Sequence, residues 1–136
     1  MIDKKLFKQT IHKILTEQYT FKKVANVWQK QINDYWVKVE LQKSNFSNSY
    51  YINLITYKEK YVVDNKKRIT WVSGTISSMI RIRSGTEPFS LDDNYSEKEL
   101  YLELNSLFIK KLKKIVIALE KNTSWDTLLS KKIICL

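Results

Sequence analysis

The sequence contains one cysteine, one proline, one histidine and two glycines among 136 residues. Cys135 alone cannot close an intramolecular disulfide, and His12 alone cannot complete a zinc site with it. No Cys–His or Ser–His–Asp set can be assembled with any specificity. Val72-Ser73-Gly74-Thr75 lacks the glycine spacing and the lysine of a phosphate-binding loop. The scarcity of Gly and Pro argues against long irregular linkers. Long apolar runs are also missing: Ile115 to Leu119 falls far short of the ~20 residues that a membrane-spanning helix needs. Met1-Ile2-Asp3-Lys4-Lys5 opens into an amphipathic pattern with no apolar signal core. These absences lead us to expect no catalytic residues, no metal, no cofactor and no membrane insertion. They also suggest a reducing, cytoplasmic compartment.

What is present fits one globular domain over residues 1–136: 43% hydrophobic, 28% charged and a high aromatic load of four Trp, eight Tyr and five Phe. Lys and Arg number 24 against 14 Asp and Glu, a formal net charge of +10. Such a balance suits an acidic protein partner, nucleic acid or an anionic surface. Only Arg68, Arg81 and Arg83 are arginines, however. Lys, Ile, Asn and Tyr are all abundant here and all have A/T-rich codons, so part of the charge can reflect codon bias. Arginine is the usual residue for bidentate phosphate or guanine recognition.

Residues 3–18 read as a helix capped by Asp3, with Leu6, Phe7, Ile11, Ile14 and Leu15 on one stripe. Phe21 to Ile32 reads as a first strand and Asn33-Asp34 as a turn. Tyr35–Ser44 and Ser49–Tyr57 read as a hairpin around Asn45-Phe46-Ser47-Asn48. Pairing Ser44 with Ser49 opposes Leu41 to Ile52, Val39 to Leu54 and Val37 to Thr56, a face that a one-residue slip would expose. The other face then joins Trp36 with Tyr57, Lys38 with Ile55, Glu40 with Asn53 and Gln42 with Tyr51. Lys58 to Lys67 reads as a charged connection, Arg68 to Ile76 as a fourth strand, and Ile80-Arg81-Ile82-Arg83 as a further short strand. Ser96-x-x-Glu99 is a capping box for a helix running to Lys121. Its main stripe is Leu100, Leu104, Leu107, Phe108, Leu112, Ile115 and Leu119. A second stripe, Leu102, Ile109 and Val116, implies burial on a second side, in the core or against a second copy, so monomer and homodimer both stay open. Ser124 caps a short final helix with Trp125, Leu128 and Leu129 inward.

At Leu41-Gln42-Lys43-Ser44-Asn45-Phe46 and Tyr50-Tyr51-Ile52-Asn53-Leu54 the chain resembles a bacterial family of domains of unknown function. Its pattern is an N-terminal helix, a Phe-Lys-Lys step (Phe21-Lys22-Lys23), a strand Trp (Trp28) and this hairpin. Two departures stand out. Thr20 occupies the position before Phe21 where the family usually has Gly, and Trp71 to Ile76 lacks the Arg that the family tends to carry on that strand. The resemblance implies the fold outline and no activity.

The expected fold is therefore α+β: an N-terminal helix, an antiparallel sheet of about four to five strands, a long C-terminal helix and a short last one. The helices are expected on the Val37/Val39/Leu41/Ile52/Leu54 face. The opposite face, with Trp36, Glu40, Gln42, Tyr51, Asn53 and Tyr57, is the expected binding surface, because aromatic rings beside amides suit a planar or peptide-like partner. Its plain alternative is that Gln42 and Asn53 only satisfy the sheet edge. Lys43 beside the turn, Arg81 with Arg83, and the run Lys110, Lys111, Lys113 and Lys114 are candidate anion contacts. For each, a solvated or ion-paired surface residue is the competing reading. Lys66, Lys67 and Arg68 can lie near the arginine pair. His12 reads as a boundary residue beside the apolar stripe.

The leading expectation for function is a non-catalytic protein-interaction module, of inhibitor or immunity type, against an acidic protein partner. Low-specificity nucleic-acid binding through Lys110–Lys114 and the N-terminal helix lysines, with Trp36 or Tyr57 stacking on bases, is the alternative. A third, weaker reading is a Mg²⁺-dependent nuclease built on Asp34, Glu40 and Gln42.

Overall fold

The computed structural model describes residues 1–58, 61–63, 69–71, 77–81 and 88–133. The first helix, α1 (Lys4–Glu17), starts where Asp3 in an extended conformation accepts a hydrogen bond from the Lys5 amide at 2.6 Å. Its apolar spacing buries Phe7, Ile11, Ile14 and Leu15. The expected strand over Phe21–Ile32 is two strands, β1 (Lys22–Val24) and β2 (Val27–Ile32), folded back on each other with Val24 opposite Val27. Ala25 makes the reversal at a φ of 54°, without the glycine that normally announces such a turn.

The next turn is the expected one. Asn33 takes a φ of 54°, which its short amide tolerates, and its Nδ2 donates to the Leu119 carbonyl at 2.8 Å. β3 (Tyr35–Lys43) and β4 (Ser49–Lys58) follow, in the expected register throughout. The Ser44 amide closes their turn on the Ser49 carbonyl at 3.0 Å.

β5 (Tyr61–Val63) and β6 (Ile69–Trp71) form a separate two-stranded ribbon, and β7 (Ser77–Arg81) pairs with β4. The main sheet runs β1-β2-β3-β4-β7, every pair antiparallel, with the two-residue β8 (Phe89–Ser90) also on β4. Most of the charged connection read at Lys58 to Lys67 and most of the strand read at Arg68 to Ile76 lie outside the described residues, as does Arg83.

The long helix α2 (Glu97–Glu120) carries the full capping box: Ser96 Oγ accepts from the Glu99 amide and the Glu99 carboxylate accepts from the Ser96 amide. The short helix α3 (Trp125–Ser130) is capped by Ser124 and buries Leu128; the side chains of Trp125 and Leu129 lie outside the described residues.

One core joins α1, α2 and the inner sheet face through Phe7, Ile11, Val37, Val39, Leu54, Leu104 and Phe108. Leu41 is only half-buried, where this face opens toward the rim. Burial in this core raises the pKa of the Tyr19 phenol, which disfavours its anion. Along α2 the main stripe is buried, with Leu107 half-buried. The second stripe divides: Val116 is buried, whereas Leu102 and Ile109 are exposed. No described helix is long and apolar enough to cross a membrane.

Candidate lysine-lined site

The open end of the inner sheet face holds the most distinctive charge arrangement. Lys4 and Lys8 lie one turn apart on α1 and so share a face. Lys23 on β1 sits directly across from Trp28 on β2. Lys43, at the end of β3, sits directly across from Tyr50 on β4. Packing α1 against this corner brings the four lysines around a cavity of about 310 Å³, whose remaining lining is Asn26, Trp28, Leu41 and Tyr50. Among the described residues no carboxylate lines it.

The rings hold the cations in place. Lys23 Nζ lies 5.4 Å from the Trp28 ring centroid, and Lys8 and Lys43 Nζ each lie 5.6 Å from that of Tyr50. Lys43 Nζ also donates to the Ser47 carbonyl at 2.8 Å. Tyr50 is anchored from behind by stacking on Phe7 at 5.4 Å, and Phe7 stacks on Phe89 at 5.5 Å. The Trp28 indole N–H donates to His12 Nδ1 at 3.0 Å, so His12 works here as an acceptor at the edge of the core. Trp28 is 2% exposed and Tyr50 4%, so neither ring is an open stacking platform; what the cavity presents to a ligand is ammonium groups.

Of two other depressions, one mixes charges and one is likewise basic. One of about 490 Å³ between α1 and the start of α2 mixes Lys13 and Lys98 with Glu97, beside Thr10, Tyr101 and Leu102. Another of about 350 Å³ near α3 joins Lys114, Lys121 and Lys131 with Ile117, Ala118, Thr123 and Ile133.

The outer sheet face assembles as the register requires. Trp36, Glu40 and Gln42 of β3 stand opposite Tyr57, Asn53 and Tyr51 of β4. Asn53 Nδ2 donates to Gln42 Oε1 at 3.1 Å, and Asn53 is 4% exposed with no partner for its Oδ1 among the described residues. Trp36 and Tyr51 are half-buried, Glu40 and Gln42 exposed; the Tyr57 side chain lies outside the described residues. Arg81 pairs with Asn53 in the β4–β7 register, but its side chain, together with Arg83, Lys66, Lys67 and Arg68, is outside the description.

Lys110, Lys111, Lys113 and Lys114 are all exposed, while Leu112 among them is buried. At ~100° per residue the four span a broad solvent arc opposite Leu112.

Asp34 lies in the turn before β3 and Glu40 within that strand, six residues apart and so roughly 20 Å along the chain, a span that no single Mg²⁺ bridges. Among the described residues, no group of three or more His, Cys, Asp or Glu is placed to hold a metal ion.

Of the residues that the sequence offers as anion or nucleic-acid contacts, Lys43 and the N-terminal helix lysines Lys4 and Lys8 line the lysine cavity; Lys23, Asn26 and Tyr50 are not among them. The Phe-Lys-Lys step contributes Lys23, and the Lys4/Lys8 spacing was visible as one helical face. Their convergence depends on how the helix docks.

The model of the family described as Domain of unknown function (DUF4304) matches residues 12–128, from the second half of α1 to α3. Lys23, Trp28, Lys43 and Tyr50 fall inside the matched stretch, Lys4 and Lys8 outside it. No curated protein and no solved structure matches the chain.

Proposed function

The chain belongs to the DUF4304 family, a domain of unknown function, and from that premise we propose that it is a non-catalytic interaction domain that receives an acidic protein partner at the lysine-lined cavity. The observation that carries this reading is the convergence of Lys4, Lys8, Lys23 and Lys43 from α1, β1 and β3, with no carboxylate between them among the described residues. Codon bias raises the number of lysines. It does not dictate that four of them meet around one cavity.

The charge of +10 would steer an acidic partner toward the domain, and a surface of point charges suits recognition by complementarity of potential more than by bidentate geometry. An inhibitor or immunity-type role against such a partner is the concrete form of this reading. The rings beneath the lysines would serve as a support for the cations. The outer face around Gln42 and Asn53 is a further surface on which a partner can rest.

A nuclease-treated pull-down from the native host, read by mass spectrometry, tests the proposal. The expected result is one stoichiometric acidic protein, lost with Lys8→Glu/Lys23→Glu/Lys43→Glu and kept with Lys110→Glu/Lys111→Glu. Equal capture by both variants, or recovery of nucleic acid without a protein, would overturn it. The exposed arc of Lys110, Lys111, Lys113 and Lys114 favours low-specificity nucleic-acid binding as the second reading, and the untreated eluate tests that directly.

A further inference from the structure

We propose that the cavity between α1 and the two hairpins is a phosphoryl-group site: it takes a phosphate monoester or diphosphate carrying at least two negative charges. This deepens the reading of that cavity as the contact site and rests on it for its biological setting, although its chemistry can be tested alone.

Electrostatics favour a multiply charged anion here. An ammonium group offers three donors and no acceptor, so lysines cannot satisfy one another. Lys8 and Lys43 both sit 5.6 Å from one ring centroid, which keeps their Nζ atoms within about 11 Å of each other, and no anionic side chain among the described residues lines the space they share. An anion bound between them would relieve their mutual repulsion. A carboxylate brings one charge and two oxygens. A phosphoryl group brings close to two charges and three strong acceptor oxygens, enough to meet several ammonium groups at once.

Preorganisation favours the same site. Three of the four cations are held over rings: Lys8 and Lys43 over Tyr50, Lys23 over Trp28. Tyr50 is fixed in turn by Phe7, and Trp28 by its hydrogen bond to His12. Holding the stems over fixed rings reduces the conformational entropy that the lysines would lose on binding.

Size fits as well. About 310 Å³ lies at the small end of ligand cavities, enough for one or two phosphoryl groups and too small for an extended ligand to enter whole. Asn26, from the β1–β2 turn, adds an amide to the lining, which suits an ester or bridging oxygen. The phosphoryl group can belong to a phosphorylated side chain of the partner or to a free phosphate compound; the chemistry at the cavity is the same.

The test follows the Trp28 indole N–H and the Asn26 side-chain amide by ¹H–¹⁵N NMR. The full chain is titrated with pyrophosphate, with a phosphoserine peptide, with the same peptide carrying Glu in place of phosphoserine, and with acetate. Both phosphate probes are expected to shift these resonances saturably, with about tenfold or greater preference over the Glu peptide and acetate. Tighter binding of the phosphopeptide than of pyrophosphate assigns the source to a modified partner, and the reverse order assigns it to a free compound. Lys8→Gln/Lys23→Gln should abolish the shift, and Lys110→Gln/Lys111→Gln should leave it unchanged. Gln removes the charge and keeps a polar side chain one methylene shorter at these exposed positions, and an unchanged amide spectrum elsewhere shows that the variants fold. Equal response to acetate and pyrophosphate, or equal response of the two variants, overturns the proposal. Partner capture that survives phosphatase treatment while pyrophosphate fails to bind would sink this inference and leave the interaction reading standing. Pyrophosphate binding with no partner captured would do the opposite.

Discussion

Thr20 sits at a φ of 58°, a region where a β-branched residue is a real outlier. The family that the sequence resembles usually has Gly at this step, and the backbone explains why: glycine has no Cβ to clash there. Thr20 is partly compensated. Its hydroxyl donates to the Tyr19 carbonyl at 2.6 Å and accepts from Lys30 Nζ at 2.9 Å. The left-handed conformation costs an L-residue about 1 to 2 kcal/mol, while glycine loses roughly 0.5 to 1 kcal/mol in extra chain entropy. Thr20 is exposed, so its lost hydrogen bonds can be replaced by water. Thr20→Gly is therefore expected to stabilise the fold by about 0.5 kcal/mol. Urea unfolding read by Trp fluorescence checks this. A loss of stability would mean that the Lys30–Thr20 contact outweighs the backbone strain.

At the scale of elements, α2 depends on its N-terminal cap because the residues that open it, Glu97, Lys98 and Glu99, are all exposed and gain little from packing. Ser96→Ala removes the acceptor of the Glu99 amide and should cost about 1 kcal/mol, roughly 4 °C in Tm for a domain of this size. Ser96→Ala/Glu99→Ala should cost less than the two single changes together, since each residue satisfies the other's backbone; additive losses would show that the box is not coupled. The cap was legible in the sequence because its chemistry is local. So was the β3–β4 register, fixed by the two-residue alternation and the Ser44–Ser49 closure. The break between β1 and β2 was not, because Ala25-Asn26 carries no glycine and the residues on either side read as one continuous strand. The exposed Leu102 and Ile109 show another limit: the second α2 stripe announced an apolar face without saying what covers it. The lysine cavity was the least legible feature. Lys4 and Lys8, Lys23, and Lys43 belong to three elements, and no spacing rule relates residues that meet only when α1 packs on the sheet.

At the scale of the whole molecule, recognition depends on where the charge of +10 acts. If the charge works by steering an acidic protein, it acts before contact, over distances comparable with the Debye length of about 10 Å at 0.1 M salt. Raising the salt should then slow association and leave dissociation nearly unchanged, because the docked contact is short-ranged. If instead the lysines track a phosphate backbone, the equilibrium constant itself should fall as a power of salt concentration, with a slope near −0.9 for each phosphate neutralised on duplex DNA or −0.7 on a single strand. Stopped-flow association against the captured partner between about 0.05 and 0.5 M NaCl, a range over which the Debye length shrinks roughly threefold, separates the two. We expect the association rate constant to fall by at least about tenfold while the dissociation rate changes by less than about twofold. Lys8→Glu/Lys23→Glu/Lys43→Glu should remove most of that dependence, because it reverses charge at the contact. Lys110→Glu/Lys111→Glu carries a smaller reversal on the exposed arc of α2 and should reduce it only modestly. Equal effects per charge reversed would mean that the net charge steers wherever it sits, and that the cavity has no special part in recognition.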